Sequence, residues 1–155
     1  MSYLNQRRIK QETIKWVNSS LTAREYAFVT LTLKQSILGE PLTAGSAQAD
    51  AGMFLDMLNN RILGNAHRRF GKRLTTYDVT EGGDQSEKRR HRHMQIEIPA
   101  TLSFSEFESL VRKIRMKSRW GDRRVDVQLA RDVKHVTKYM TKTGIDAICL
   151  DTTSF

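Results

Sequence analysis

Apolar residues recur along this chain with two periods, and the switches between them mark out the elements. From Asn5 to Trp16, Ile9, Ile14 and Trp16 stand in a polar, weakly amphipathic stretch that predicts a short helix. Tyr26-Ala-Phe-Val-Thr-Leu-Thr-Leu33 is rich in β-branched and aromatic residues and predicts a strand. Gly39, Pro41, Gly45 and Ser46 predict a loop from Ser36 to Asp50. After it, Phe54, Leu58, Ile62 and Ala66 recur at helical spacing, flanked by Met53, Met57 and Leu63, and Gly71 is positioned to close that helix.

The second half repeats this alternation. Leu74 to Glu81 predicts a strand, Gly82-Gly83-Asp84 a turn, and Glu87-Lys-Arg-Arg90 a charged hairpin tip. His91 to Ile98 alternates as a third strand and stops at Pro99. Ser103 followed by Glu106 is a capping box, opening a helix whose apolar stripe is Phe107, Leu110, Val111 and Ile114. Gly121-Asp122 breaks the chain, and Val125, Val127 and Leu129 predict a fourth strand. Asp132 caps a last helix that Gly144 closes; the tail after Ile145 carries no clear pattern. The order βαββαβ, with an extra helix at each end, predicts an α+β ferredoxin-like domain. Its first and third strands should lie at the centre of an antiparallel sheet, with helices on one face and the other face open. The absence of a linker or repeat favours one domain over residues 1–155, with a core over about 25–144.

Charge narrows the partner. The 155 residues carry a formal net charge of +9, which favours a polyanion. Basic residues cluster at Arg68-Arg69 with Lys72-Arg73, at Lys88-Arg89-Arg90, and from Arg112 to Arg119. No apolar run approaches the roughly 20 residues that cross a bilayer, and the polar N-terminal stretch does not read as a signal peptide. A lone cysteine, Cys149, excludes an internal disulfide and a cysteine zinc finger, and suits a reducing, cytoplasmic setting.

The third strand carries candidate chemistry. Side chains alternate across a strand, so Met94, Ile96 and Ile98 should enter the core while His91, His93, Gln95 and Glu97 share the open face. Two imidazoles on one face can share a metal ion. Glu81 ends the preceding strand and should lie opposite His91, completing a mixed nitrogen and oxygen set that does not by itself choose the metal. If Glu81 faces the open side, so do Tyr77 and Val79, while Thr76 and Asp78 face the core. That pattern calls for a β-bulge or an edge strand, and leaves Asp78 and Asp84 as alternative ligands. On the last helix, His135, Tyr139 and Lys142 fall on one arc, and Val133, Val136 and Met140 on another that holds the helix to the sheet. A phenol is a weak nucleophile at neutral pH, and a neighbouring ammonium favours its anion.

Phe28-Val-Thr-Leu-Thr-Leu33, His91-Arg92-His93 and Tyr139-Met-Thr-Lys142, in this order, resemble the three motifs of the HUH endonucleases, above all the rolling-circle replication initiators with a single tyrosine. The resemblance spans Tyr26 to Gly144 and implies the same ferredoxin-like sheet. It implies Mg²⁺ or Mn²⁺ on His91 and His93 with Glu81 as third ligand. Tyr139 would attack a phosphodiester and keep the 5′ end as a phosphotyrosine, and Lys142 would orient or neutralise the phosphate. The partner implied is single-stranded DNA at an origin hairpin or stem-loop. Lys88, Arg89, Arg90, Arg92 and Lys138 would contact it. No helicase-type phosphate loop is present, so a helicase would come from the host or another chain. Arg92 departs from the family pattern, which has a bulky apolar residue there; its stem should be buried and its head extended outward at the sheet edge. A tyrosine in the Tyr-x-x-Lys setting fits such initiators better than relaxases or insertion-sequence transposases, which remain an alternative within the family. Two readings compete from other classes: an RRM-like module stacking bases on an open sheet, and a hydrolase whose nucleophile is water.

Overall fold

The computed structural model describes residues 2–83 and 86–155. The chain runs α1 (Tyr3–Ser20), β1 (Tyr26–Leu33), a small hairpin of β2 (Ser36–Ile37) and β3 (Glu40–Pro41), α2 (Ala44–Leu63), α3 (Asn65–Phe70), β4 (Thr76–Glu81) and β5 (His91–Glu97). It continues through α4 (Phe104–Arg115), β6 (Gly121–Leu129) and α5 (Val133–Met140) to two 3₁₀ turns, Thr141–Thr143 and Ile145–Ala147. The fold is α+β and ferredoxin-like: β4-β5-β1-β6 form one antiparallel sheet, with β1 and β5 at its centre.

The strand alternation sorts the sheet into two faces. Ala27, Val29 and Leu31 of β1 join Met94 and Ile96 of β5 under Phe54, Leu55 and Leu58 of α2 and Phe107, Val111 and Ile114 of α4. This is the larger core. The capping box predicted at α4 is present, with Ser103 and Glu106 each bonding the other's backbone.

The second face is not open throughout. Tyr26 of β1 and Tyr77 and Val79 of β4 are buried there against Val17 of α1, Leu21 at its C-terminal end, Ala130, and Met140 of α5. Helices therefore lie on both faces, and only part of the second face is left for a site. This covering explains the β4 pattern without a bulge: its pairing with β5 is continuous from Thr76↔Ile96 to Glu81↔His91. β4 is an edge strand of the sheet, as one of the two expectations had it, and both its faces are packed. Isolated bridges from Ser154 to Thr76 and from Ile148 to Val79 cover part of its free edge.

Several boundaries differ from expectation: α1 is longer at both ends than Asn5 to Trp16, and the last helix gives way after Met140 to a 3₁₀ turn before Gly144. The loop expected up to Asp50 ends at Thr43, whose side chain caps α2, so Gly45 and Ser46 belong to its first turn. The single helix expected up to Gly71 breaks at Gly64 into α2 and α3; Gly71, in the left-handed conformation, closes α3. Gly121-Asp122 begins β6 instead of interrupting the chain before it.

Candidate active site

The hairpin between β4 and β5 sets the first half of the site. Gly82 has φ +77°, and a Cβ there would collide with the backbone carbonyl of Arg89, so only glycine allows the two limbs to close this tightly. The antiparallel register then places Glu81 directly opposite His91. The three side chains meet on the second face. Glu81 Oε2 lies 3.1 Å from His93 Nε2 and 3.5 Å from His91 Nε2, and the two Nε2 atoms are 3.2 Å apart.

The outer nitrogens are also held. His91 Nδ1 donates to the Arg89 carbonyl at 2.8 Å, and His93 Nδ1 meets the Thr30 hydroxyl at 3.0 Å. A proton on His91 Nδ1 leaves its Nε2 lone pair facing the centre, the usual support of a metal-binding imidazole. Burial, and then the neighbouring His91, push His93 below the ordinary histidine range, keeping it neutral as a ligand must be. Burial alone would raise the Glu81 carboxyl, but Lys88 and Lys142 outweigh it and hold it at about 2. Both ammoniums reach Glu81 Oε1, Lys88 at 2.8 Å and Lys142 at 3.3 Å, which leaves Oε2 turned to the histidines. Glu81, His91 and His93 can thus hold a metal ion, and they are the group among the described residues with that geometry.

The second half comes from α5. Asp132 caps the helix, and two buried polar contacts fix it to the sheet. Gln95, fully buried, accepts from Thr137 Oγ1 at 3.0 Å and donates to the Val133 carbonyl at 3.1 Å. Tyr77 and Thr141 hydroxyls meet at 2.8 Å where the helix tightens into its 3₁₀ turn. Tyr139 therefore projects over the metal-ligand group, its ring edge-on to His93 at 5.7 Å between centroids and to Phe28 at 6.1 Å. Tyr139 keeps 42% of its surface exposed, so a ligand can reach it. Lys142 Nζ stands 4.1 Å from the centre of its ring.

The predicted residues divide accordingly. Glu81, His91, His93, Tyr139 and Lys142 come together. Lys142 does so from the 3₁₀ turn that follows the last helix. His135 is exposed, and its backbone N–H donates to the Asp132 cap. Lys88, Arg89 and Lys138 are exposed.

Arg92 is a correction. Its side chain is not extended outward but buried, paired with Asp78 at 2.5 Å and bonded to Gln48 and Thr152, because it faces the α2 side of the sheet where Asp78 needs a counter-charge. It cannot reach a strand on the other face. The same pair removes Asp78 as an alternative ligand. Asp84 lies outside the described residues. Arg90 is buried beside Gly83 and its backbone N–H is bonded to Gln35, so the exposed cations of the hairpin tip are Lys88 and Arg89. In the Arg112 to Arg119 cluster, Arg115 is buried against Asp50 and is unavailable to a phosphate.

Sequence reasoning placed Gln95 among the open-face residues and missed its function of holding α5. A polar residue between His93 and Glu97 carries no mark of burial; only the partner helix supplies one. Thr30, which supports His93, was visible as a polar interruption in an apolar strand. Among known proteins, no family model, no curated protein and no solved structure matches this chain.

Proposed function

We propose that this chain is an HUH-type endonuclease that nicks and rejoins single-stranded DNA and so initiates rolling-circle replication of a plasmid or virus. One observation carries the reading: Lys142 bridges the two halves of the site, bonded to Glu81 and standing against the Tyr139 ring. A tyrosine that could serve as nucleophile and a group that could hold a metal, from distant segments, thereby lie side by side.

Mg²⁺ or Mn²⁺ on Glu81, His91 and His93 would polarise the scissile phosphate and stabilise the charge that develops on it. The Tyr139 hydroxyl oxygen attacks the phosphorus. The Tyr–O–P bond forms as the P–O3′ bond breaks, the phenolic proton ends on the departing 3′ oxygen, and the 5′ end stays on the protein. Attack by a 3′-hydroxyl on the phosphotyrosine reverses the step and reseals the strand. Lys142 offers its ammonium to the phosphate during both steps. Lys88, Arg89 and Lys138 are the exposed cations that would hold the flanking strand. An origin hairpin would present that strand, and strand separation would need a helicase from another chain. A base-stacking module finds less support, since His93 and Gln95, at central positions of β5, are buried.

The test is incubation of labelled single-stranded oligonucleotides with Mn²⁺, read on a denaturing gel. The protein should cleave, Tyr139→Phe should bind DNA without cleaving, and excess chelator should stop the reaction. Undiminished cleavage by Tyr139→Phe would make water the nucleophile and overturn the reading.

A further inference from the structure

α1 precedes the ferredoxin-like core, yet it touches the catalytic end of the molecule. Lys10 Nζ donates to the Lys142 carbonyl at 2.8 Å, tying the helix to the 3₁₀ turn that carries Lys142. Between α1 and residues 142–146 lies a cavity of about 630 Å³. Arg7 and Lys10, one helical turn apart, line it from one side, and Lys142 and Gly144 from the other. Its lining holds three cations against one carboxylate, Asp146. Tyr3, 77% exposed, adds an aromatic ring on the Arg7 face of the helix.

This combination suits one ligand chemistry. An ammonium has three donors, so Lys10 keeps two beyond its bond to Lys142, and the Arg7 guanidinium is a planar fork that matches a phosphate. An exposed ring beside such cations offers a stacking surface for a base. Lys142 is common to the cavity and to the Glu81–Tyr139 site, so the two adjoin at that residue. We propose that this cavity binds a deoxynucleotide of the strand next to the scissile phosphate, with Arg7 and Lys10 on its own phosphate and Tyr3 against its base. The inference rests on the reading of the site as a single-strand nickase. It makes α1 a positioning element for the nucleotide that flanks the cut.

The experiment uses the metal-free full chain, so it reads binding without cleavage. Thymidine 5′-monophosphate, thymidine and inorganic phosphate are titrated separately while backbone amide resonances are followed. The monophosphate should shift the amides of Lys10 and Gly144 and bind more tightly than either fragment. Arg7→Glu should weaken it by roughly tenfold or more, the scale of a charge-assisted hydrogen bond lost and a repulsion gained. Arg7→Gln, a milder change at the same exposed position, should weaken it less. Shifts confined to other residues, equal binding of inorganic phosphate, or unchanged affinity in both variants would overturn the proposal. Nucleotide binding in the cavity by a protein that never cuts DNA would instead remove the nickase reading and leave the cavity a nucleotide site. Cleavage without nucleotide binding would remove the cavity alone.

Discussion

His91 and His93 present the same nitrogen to Glu81 because each has its other nitrogen engaged, one by the Arg89 carbonyl and one by Thr30. The three side chains, which could hold a metal ion, are therefore oriented by their own partners. Replacing both histidines by alanine should abolish Mn²⁺ binding, and Thr30→Val should weaken it by about 10- to 100-fold, as loss of an outer-shell partner does. Calorimetric titration checks both; undiminished affinity in the double variant would remove the site. The same residues set a pH dependence. His93 is held below its ordinary 6.5, so its contribution to stability is complete above about pH 6.5 and is lost as pH falls toward its lowered folded value. Glu81 falls from an ordinary 4.5 to about 2, so its contribution is present above about pH 4.5 and is lost as pH falls through about 2. Urea denaturation of the metal-free protein should show stability declining over both windows. Glu81→Gln should remove the lower one; a decline through that window unchanged in Glu81→Gln would assign it to other carboxylates.

At the level of elements, α5 delivers the tyrosine, and Gln95 decides where α5 sits. Gln95→Ala leaves the Thr137 hydroxyl without its sheet partner and should cost about 1–3 kcal/mol of stability. Nicking should fall while Mn²⁺ affinity is retained, since none of the metal-ligand atoms bonds Gln95. Equal losses in both measurements would mean that the substitution disturbs β5 itself. The sequence showed some of these elements plainly and others not at all. β1 was legible because it is rich in β-branched and aromatic residues, β5 because Met94, Ile96 and Ile98 alternate, and α4 because its capping box is local. The start of α2 was hidden by Gly45 and Ser46, which suit a loop, although Thr43 was there as a cap. β4 misled because Tyr77 and Val79 look misplaced until α1 and α5 cover them. Arg92 misled for a similar reason: its counter-charge, Asp78, sits on the neighbouring strand, and pairing across strands depends on a register that no local pattern supplies. The histidines and Tyr139 could be proposed from their spacing, but the bridge through Lys142 depends on the tertiary placement of α5.

Across the whole molecule, a net charge of +9 coexists with many cations already paired. No helix among the described residues is long and apolar enough to cross a membrane. If the exposed hairpin cations hold a strand, affinity for single-stranded DNA should fall with a log–log salt slope near −0.7 per phosphate neutralised. Replacing Lys88 and Arg89 by alanine should make that slope shallower by up to about two such units, across many sequences alike. An unchanged slope would mean that the hairpin tip does not touch DNA. The central claim is narrower than binding: one particular oxygen joins covalently to DNA. Mass spectrometry of the protein after incubation with a single-stranded substrate and Mn²⁺, followed by digestion, tests it most directly. The account predicts a nucleotide linked through its 5′-phosphate to Tyr139. Cleaved DNA with no protein adduct, or an adduct on any other residue, would contradict it.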